Sequence, residues 1–314
     1  MEPERPRIAV SACLLGQPVR FDGGHRKNRL LYELQNWVEF VPLCPEVEAG
    51  LGVPRSPVRL VRTPLGNRLV SPRSGEDLTE RIRAHAQTRV DALRAMGVVG
   101  AILQGDSPTC APFRARVYDP SGRVTSHAPG AFAAFLRAAW PHLPVESEGR
   151  LRDPVLREHF LAQVFALHRW QRFVRSGPRP SDLVWFHTRE KLMLLAHSPA
   201  RAAQLGRLVA GLDRAEDALE AYGTVFAEAL ATRATRARHV NVLLHAAGML
   251  RDVLTPTERH ELHESIDAYR SGWVPLVVPV RLVRAWVRRA GPSWLRDQTY
   301  LAPYPDALGL RNAV

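Results

Sequence analysis

Three cysteines carry the clearest chemical signal in this sequence of 314 residues. Cys13 ends the run RIAVSAC, Cys44 ends FVPLC, and Cys110 follows VVGAIL through Gln104–Thr109. Each apolar run reads as a β-strand, so each thiol is expected just past a strand end. In an open parallel sheet the carboxyl ends of the strands share one edge, and ligands bind along it. Thiols distant in sequence can therefore converge there. Zinc usually recruits four ligands through CxxC-type pairs, which this sequence lacks. Iron–sulfur clusters normally take four thiolates, so a set of three would leave one iron open as a Lewis acid. The competing interpretation is three small buried hydrophobes. It is weakened by the turn formers beside each one: Leu14–Leu15–Gly16, Pro45–Glu46 and Ser107–Pro108. An odd number of cysteines also argues against a disulfide framework.

The elements that must position these thiols alternate. Strands are expected at Arg7–Cys13, Phe40–Cys44, Val98–Leu103 and Phe113–Tyr118, the last followed by a turn at Asp119–Gly122. A helix is expected over Thr79–Met96, where Ile82, Ala86, Val90 and Leu93 fall at helical spacing, and another over Gly130–Trp140. The pattern predicts an α/β N-terminal domain with a largely parallel sheet over residues 1–150. Residues 151–181 read as a helical connector (Pro154–Val174) ending in a linker at Ser176–Ser181, and residues 182–314 as an all-α C-terminal domain. Pro275 and Pro279 argue for an extended segment, and the tail Tyr300–Asn312 for irregular structure.

Lys+Arg is 43 against Asp+Glu 31, a net charge of +12. Such a balance favours an anionic partner, of which nucleic acid is the commonest. A solubilising surface is the bland alternative, since only Lys27 and Lys191 are lysines and arginine supplies the rest. The charged, proline-containing start is not followed by an apolar stretch of signal-peptide type, and no run approaches a membrane span. A cytoplasmic protein with reduced thiols is expected.

The segments SACLLGQPVRFDGGHRKN, PLCPEVEAGLGVPRSPVRL, GEDLT and DSPTC, in that order over about residues 7–150, resemble the family once labelled DUF523, whose characterised members are thiouracil desulfidases. The resemblance implies a 4Fe-4S cluster held by Cys13, Cys44 and Cys110, with one open iron that takes the sulfur of a thiocarbonyl. It implies Glu46 and Ser107 as catalytic side chains. By themselves these two would read as a helix N-terminal charge and a turn or cap residue. Replacing C=S by C=O needs water, and a carboxylate can deprotonate it or return a proton to the ring. Ser11, Asp22, Arg26 and Arg55 are candidate substrate contacts, with a turn aspartate, a solvated loop and a carboxylate partner as the alternatives for the last three. The sequence departs from the family's usual residues at Gln104, where lysine is common, and at Thr109 and Ala111.

From about residue 180 the segments LVWFHTREKLMLLAHSP, LGRLVAG, RHVNVLLHAAGML, AYRSGWVPLVVPVRL and DQTYLAPYPDALGLRN resemble the domain once called DUF1722. Proteins joining both domains resemble bacterial desulfidases that erase 4-thiouridine from tRNA, which implies a helical domain that helps bind tRNA. The candidate RNA contacts are Arg233, Arg236 and Arg238, and Arg281, Arg284 and Arg288, the latter set stepping along one helical face. His187, His197, His239 and His245 form no HExxH-type pair and are expected in polar networks, while Trp170, Trp185, Trp273, Trp286 and Trp294 are expected in the core. The expected function is desulfuration of 4-thiouridine in tRNA. The alternatives are a desulfidase of free thiouracil or thiouridine nucleotides, or a non-catalytic RNA-binding or iron-sensing protein.

Overall fold

β1 (Arg7–Ser11) lies inside a four-stranded parallel sheet. The computed structural model describes residues 4–211 and 218–314, so Met1–Pro3 of the charged start and residues 212–217 of the expected helical stretch fall outside it. The sheet order is β2 (Glu39–Leu43), β1, β5 (Val98–Leu103) and β8 (Val145–Ser147). All three ladders are parallel, with Ser11 opposite Leu43 and Val10 opposite Ile102. Every residue of β5 is buried, as a strand covered on both faces must be. The last strand, β8, is short, and only the other three carry the cysteine loops.

A second sheet was not legible in the sequence. It runs β4 (Gly66–Val70), β3 (Arg59–Thr63), β6 (Ala115–Tyr118) and β7 (Val124–Ala128). Hairpins close both ends, and β3 pairs with β6 in parallel. The helices of this unit are α1 (Arg29–Leu34), α2 (Pro45–Glu48), α3 (Thr79–Ala95) and α4 (Ala131–Ala139). The apolar stripe of α3, Ile82, Ala86, Val90 and Leu93, is fully buried, in one core with Phe132 and Leu136 of α4.

The chain parts into two compact units between Arg152 and Asp153. The second unit is helical: α5 (Pro154–Arg175), α6 (Pro180–His197), α7 (Pro199–Ala210), α8 (Ala218–Ala231), α9 (Arg236–Met249), α10 (Pro256–Ser271), α11 (Val277–Ala290) and α12 (Ser293–Arg296). The segment expected as a connector is α5, whose buried Glu158 accepts from Tyr304 at 2.8 Å and whose Arg169 pairs with Glu190 of α6 at 2.7 Å. It therefore packs as an integral helix of the second unit. The expected extended segment at Pro275 and Pro279 is also corrected: Pro279 is the third residue of α11. First-turn N–H groups have no intrahelical acceptor, so proline costs nothing there. Among the described residues no helix is long and apolar enough to cross a membrane.

Candidate active site

Sheet order brings the cysteines together. Cys13 follows β1 in a short 3-10 turn (Ala12–Leu15), and Cys44 follows the neighbouring β2 as the N-cap of α2. Cys110 lies in the loop after β5, the neighbour of β1 on its other side. All three line one cavity of about 250 Å³ in the first unit, together with Ser11, Arg26, Glu46, Arg55 and Ser107.

The thiols are free and stand near one another. Burial raises the Cys13 thiol to about 11, with the neighbouring Cys44 adding to the shift. Burial also pushes up Cys44, and it drives Cys110 well above the usual thiol range with help from Glu46 and Cys44. Soft metals bind the thiolate form and invert this balance. No fourth cysteine exists in the chain, and among the described residues no group of three or more His, Cys, Asp or Glu side chains is drawn tightly enough for a single metal ion. A mononuclear cage needs ligands that converge on one point, whereas cluster ligands each meet a different iron. The donor set fits a cluster with one position not taken by cysteine.

Glu46 occupies the first turn of α2 and is 8% exposed. Arg55 binds it in a fork: Nε donates to Oε2 at 2.8 Å and Nη2 to the same oxygen at 2.6 Å. Arg55 Nη1 donates to the carbonyls of Val19 at 3.0 Å and Gly52 at 2.9 Å. Four of its five N–H donors are thus engaged inside the protein, so Arg55 is chiefly the partner of a carboxylate, although it also lines the cavity. The fork leaves Oε1 of Glu46 without a hydrogen-bond partner among the described residues.

Ser107 Oγ accepts from the backbone N–H groups of Thr109 at 3.1 Å and Cys110 at 3.0 Å. Two accepted bonds leave its hydroxyl proton free to donate into the cavity. Ser11 Oγ accepts from the Gln104 N–H at 3.0 Å and also bonds the Cys110 thiol. Ser11 therefore braces the loop behind Cys110. Arg26 lines the cavity, half-exposed, 3.5 Å from the carboxylate of Asp106. Asp22 is not among the lining residues: its carboxylate accepts from the Gly24 N–H at 3.0 Å, which chiefly holds it below the ordinary carboxylate range, and it pairs with Arg20, which adds to the shift. It is a turn aspartate, stabilising the bend before Gly24.

Phe21 is a cavity residue that the reading of motifs and spacing misses. This side chain is 39% exposed, lines the cavity, and joins Val19, Pro57 and Val58 in an apolar wall suited to a flat ring. The available signal was an aromatic set between charged residues in a turn, where the core has no use for it.

The Cys110 loop is clamped to α4. Helix N–H groups of Ala131 and Phe132 donate to the carbonyls of Pro108 and Thr109, each at 3.0 Å, so the loop itself caps the helix. A Cβ on Gly130 would stand 2.6 Å from the Thr109 carbonyl carbon and oxygen. Gly130→Ala is therefore expected to cost about 2–3 kcal/mol, as overpacking against backbone does. Urea denaturation beside the wild type measures it, and an unchanged midpoint would show that the clamp yields.

In the second unit the six candidate RNA arginines separate. Arg236 Nη1 donates to the Tyr269 carbonyl at 2.8 Å, Arg238 Nη1 to that of His197 at 2.7 Å, and Arg284 forks onto Asp306 at 2.6 and 2.8 Å. These three have acceptors within the helical unit. Arg233, Arg281 and Arg288 are exposed and have no ion pair among the described residues. The histidines enter polar networks: His187 meets Tyr222 OH at 3.1 Å, His197 the Thr232 carbonyl at 2.7 Å, and His239 Tyr300 OH at 3.0 Å. Burial holds His197 down at about 4. Two tryptophans expected in the core are on the surface, Trp185 at 56% and Trp273 at 82% exposure, and Arg189 stacks on Trp185.

Comparison with known proteins places these features. A family model described as 2-thiouracil desulfurase matches residues 8–148, and one described as a protein of unknown function (DUF1722) matches residues 191–305. The uncharacterized protein YbgA of Escherichia coli (strain K12) is 32% identical over 156 residues, spanning 49% of this chain and 92% of that protein. The uncharacterized protein YbbK of Bacillus subtilis (strain 168) is 29% identical over 108 residues, 33% of this chain and 72% of that one. Among solved structures, the 4Fe-4S-dependent thiouracil desulfidase TudS is 34% identical, covers 48% of this chain and 95% of its own, and superposes with a TM-score of 0.40. The chain belongs to the family of the Escherichia coli relative, and it carries a 2-thiouracil desulfurase domain over residues 8–148 followed by a DUF1722 domain over residues 191–305.

Proposed function

We propose that this chain is a cytoplasmic, iron–sulfur-dependent desulfidase that replaces the thiocarbonyl sulfur of a thiolated pyrimidine by oxygen, and that its substrate is 4-thiouridine in tRNA. The observation that carries the proposal is the meeting of Cys13, Cys44, Cys110 and Glu46 around one small cavity. The desulfurase family match over that unit supports the same chemistry. The three cysteines would hold a 4Fe-4S cluster. When bound, the cluster supplies an open, soft Lewis-acidic iron suited to a thiocarbonyl sulfur.

The chain's own residues do the rest. Glu46 Oε1, left free by the Arg55 fork on Oε2, takes a proton from the attacking water. The water oxygen becomes the new carbonyl oxygen, the proton on Glu46 passes to the leaving sulfur, which departs as hydrosulfide, and the second water proton is lost to solvent as the carbonyl forms. No electron is transferred. The Ser107 hydroxyl donates to the substrate or the water, while its oxygen keeps the Cys110 loop in place. Phe21 and Val58 exclude bulk solvent from one face of the ring.

A net charge of +12 and the exposed Arg233, Arg281 and Arg288, without an ion pair among the described residues, support a nucleic-acid substrate. The test is anaerobic purification, visible absorption, and sulfide release from 4-thiouridine-containing tRNA beside free 4-thiouridine monophosphate. A brown protein that works much faster on the tRNA, less so as salt rises, is expected. Arg288→Ala should weaken tRNA binding and reduce the salt slope by about 1. Equal rates on the free nucleotide at all salt concentrations would move the substrate to the nucleotide pool. A colourless protein without turnover after cluster reconstitution would leave a non-catalytic RNA-binding module.

A further inference from the structure

Three glutamines in this chain are buried: Gln104, Gln163 and Gln298. Two have their carboxamides engaged by the protein. Gln298 donates to the carbonyls of Thr188 and Trp294 and accepts from the Leu192 N–H, and Gln163 donates to the His159 carbonyl. Gln104, only 4% exposed, has no bond to its carboxamide among the described residues. Buried amides without partners are rare and call for a reason. Here neither amide atom is sealed in the interior, and the residue lines the cavity that holds Cys13, Cys110 and Ser107. Its backbone is fixed: it follows β5 directly, and its N–H donates to Ser11 Oγ at 3.0 Å. The side chain places an unbonded carboxamide at the wall of this cavity, on a backbone that is held in place.

We infer that Gln104 reads the edge of the substrate ring and sets substrate specificity. A carboxamide is planar and carries a donor and an acceptor side by side. A thiouracil ring presents the complement next to its reacting bond, in the sequence C(=S)–N(H)–C(=O). The Gln104 oxygen accepts from the ring N–H, and its NH2 donates to the ring carbonyl beyond. No other lining side chain offers this pair. Arg26 and Arg55 only donate, and Asp106 only accepts when ionised. Both 2- and 4-thiolated uracil rings contain the three-atom edge, so the class recognised is thiolated pyrimidines whose N3 bears hydrogen. The inference rests on the desulfidase reading and adds the selection rule.

The test pairs a change in the substrate with one in the protein. Cluster-loaded wild type and Gln104→Leu are titrated with 4-thiouridine and with its N3-methyl derivative, measuring Kd calorimetrically and then KM and kcat for sulfide release. N3-methylation is expected to weaken binding to the wild type by about 30-fold, the loss of paired buried hydrogen bonds, and to Gln104→Leu by no more than about 2-fold. Gln104→Glu keeps the size of the side chain and checks the result should the leucine variant fold poorly. It loses the NH2 donor, so it should bind 4-thiouridine at least about 10-fold more weakly than the wild type at pH 8, with visible absorption unchanged. An equal methylation penalty in wild type and Gln104→Leu, or unaltered binding by Gln104→Glu, overturns the role of Gln104 while leaving the desulfidase intact. If the wild type releases no sulfide from any thiolated base, the desulfidase reading fails and this inference falls with it.

Discussion

Glu46→Gln is expected to lower sulfide release by about a thousandfold, within the range general acid–base groups contribute, with visible absorption unchanged. Glutamine matches glutamate in shape and keeps an oxygen for the Arg55 fork, which now reaches Oε2 at 2.6 and 2.8 Å. It cannot take a proton from water. The loss should therefore fall on kcat, with the Kd for a thiolated base little changed, because an interaction needed only in the transition state has been removed. The three cysteines are untouched, so the ligand set of the cluster stays complete. Turnover assays with absorption spectra of the same samples separate the two effects. A variant that keeps full activity would show that water is activated elsewhere, with Ser107 the next candidate. A variant that bleaches would show that the charge of Glu46 supports the cluster and that its role is structural.

The convergence of the cysteines was legible because each one terminates a short apolar run, and the rule that strand ends share an edge does not depend on the order of the strands. The order itself, with β1 between β2 and β5, came only from the structure. Gln104 was visible as an unusual residue but not as an unbonded one, since that needed the hydrogen-bond inventory of its surroundings. The second sheet escaped because its strands carry polar and charged residues (RLVRT, GNRLV, VTSHA) and lack a continuous apolar face. Period-two reading fails on strands of five residues with at most one buried position each.

In the helical unit, spacing gave the elements and misjudged several side chains. Arg281, Arg284 and Arg288 do lie on one face of α11, but Arg284 is drawn away by Asp306, twenty-two positions later in the chain. Arg236 and Arg238 turn inward to carbonyls contributed by other helices. A stripe of like charges locates a face without telling which members have acceptors folded against them. Trp185 was assigned to the core on residue type alone. Its exposure with Arg189 stacked on it at 4.4 Å is a pairing at i and i+4 that the sequence did contain.

The pair Glu46–Arg55 makes the second large effect. Its side chains are 11% and 7% exposed, which takes both charges largely out of water. Removing one partner of such a pair strands the other. Arg55→Met is expected to destabilise the protein by about 3–5 kcal/mol, far beyond what an exposed ion pair contributes. Part of the loss comes from the Val19 and Gly52 carbonyls, which lose the Nη1 donor that ties them together at 3.0 and 2.9 Å. Those bonds tie the turn from residue 52 to 55 to Val19 in the cavity wall, so KM for a thiolated base should rise as well. The double variant Glu46→Gln/Arg55→Met removes the stranded charge. If the stranded charge is the main penalty, the double variant is more stable than Arg55→Met alone, although it carries one more substitution, and the two effects are strongly non-additive. Urea denaturation of the four proteins closes the cycle. Additive losses would assign the cost of Arg55→Met to the two carbonyls, making Arg55 chiefly a clamp for the loop and leaving the placement of Glu46 to α2.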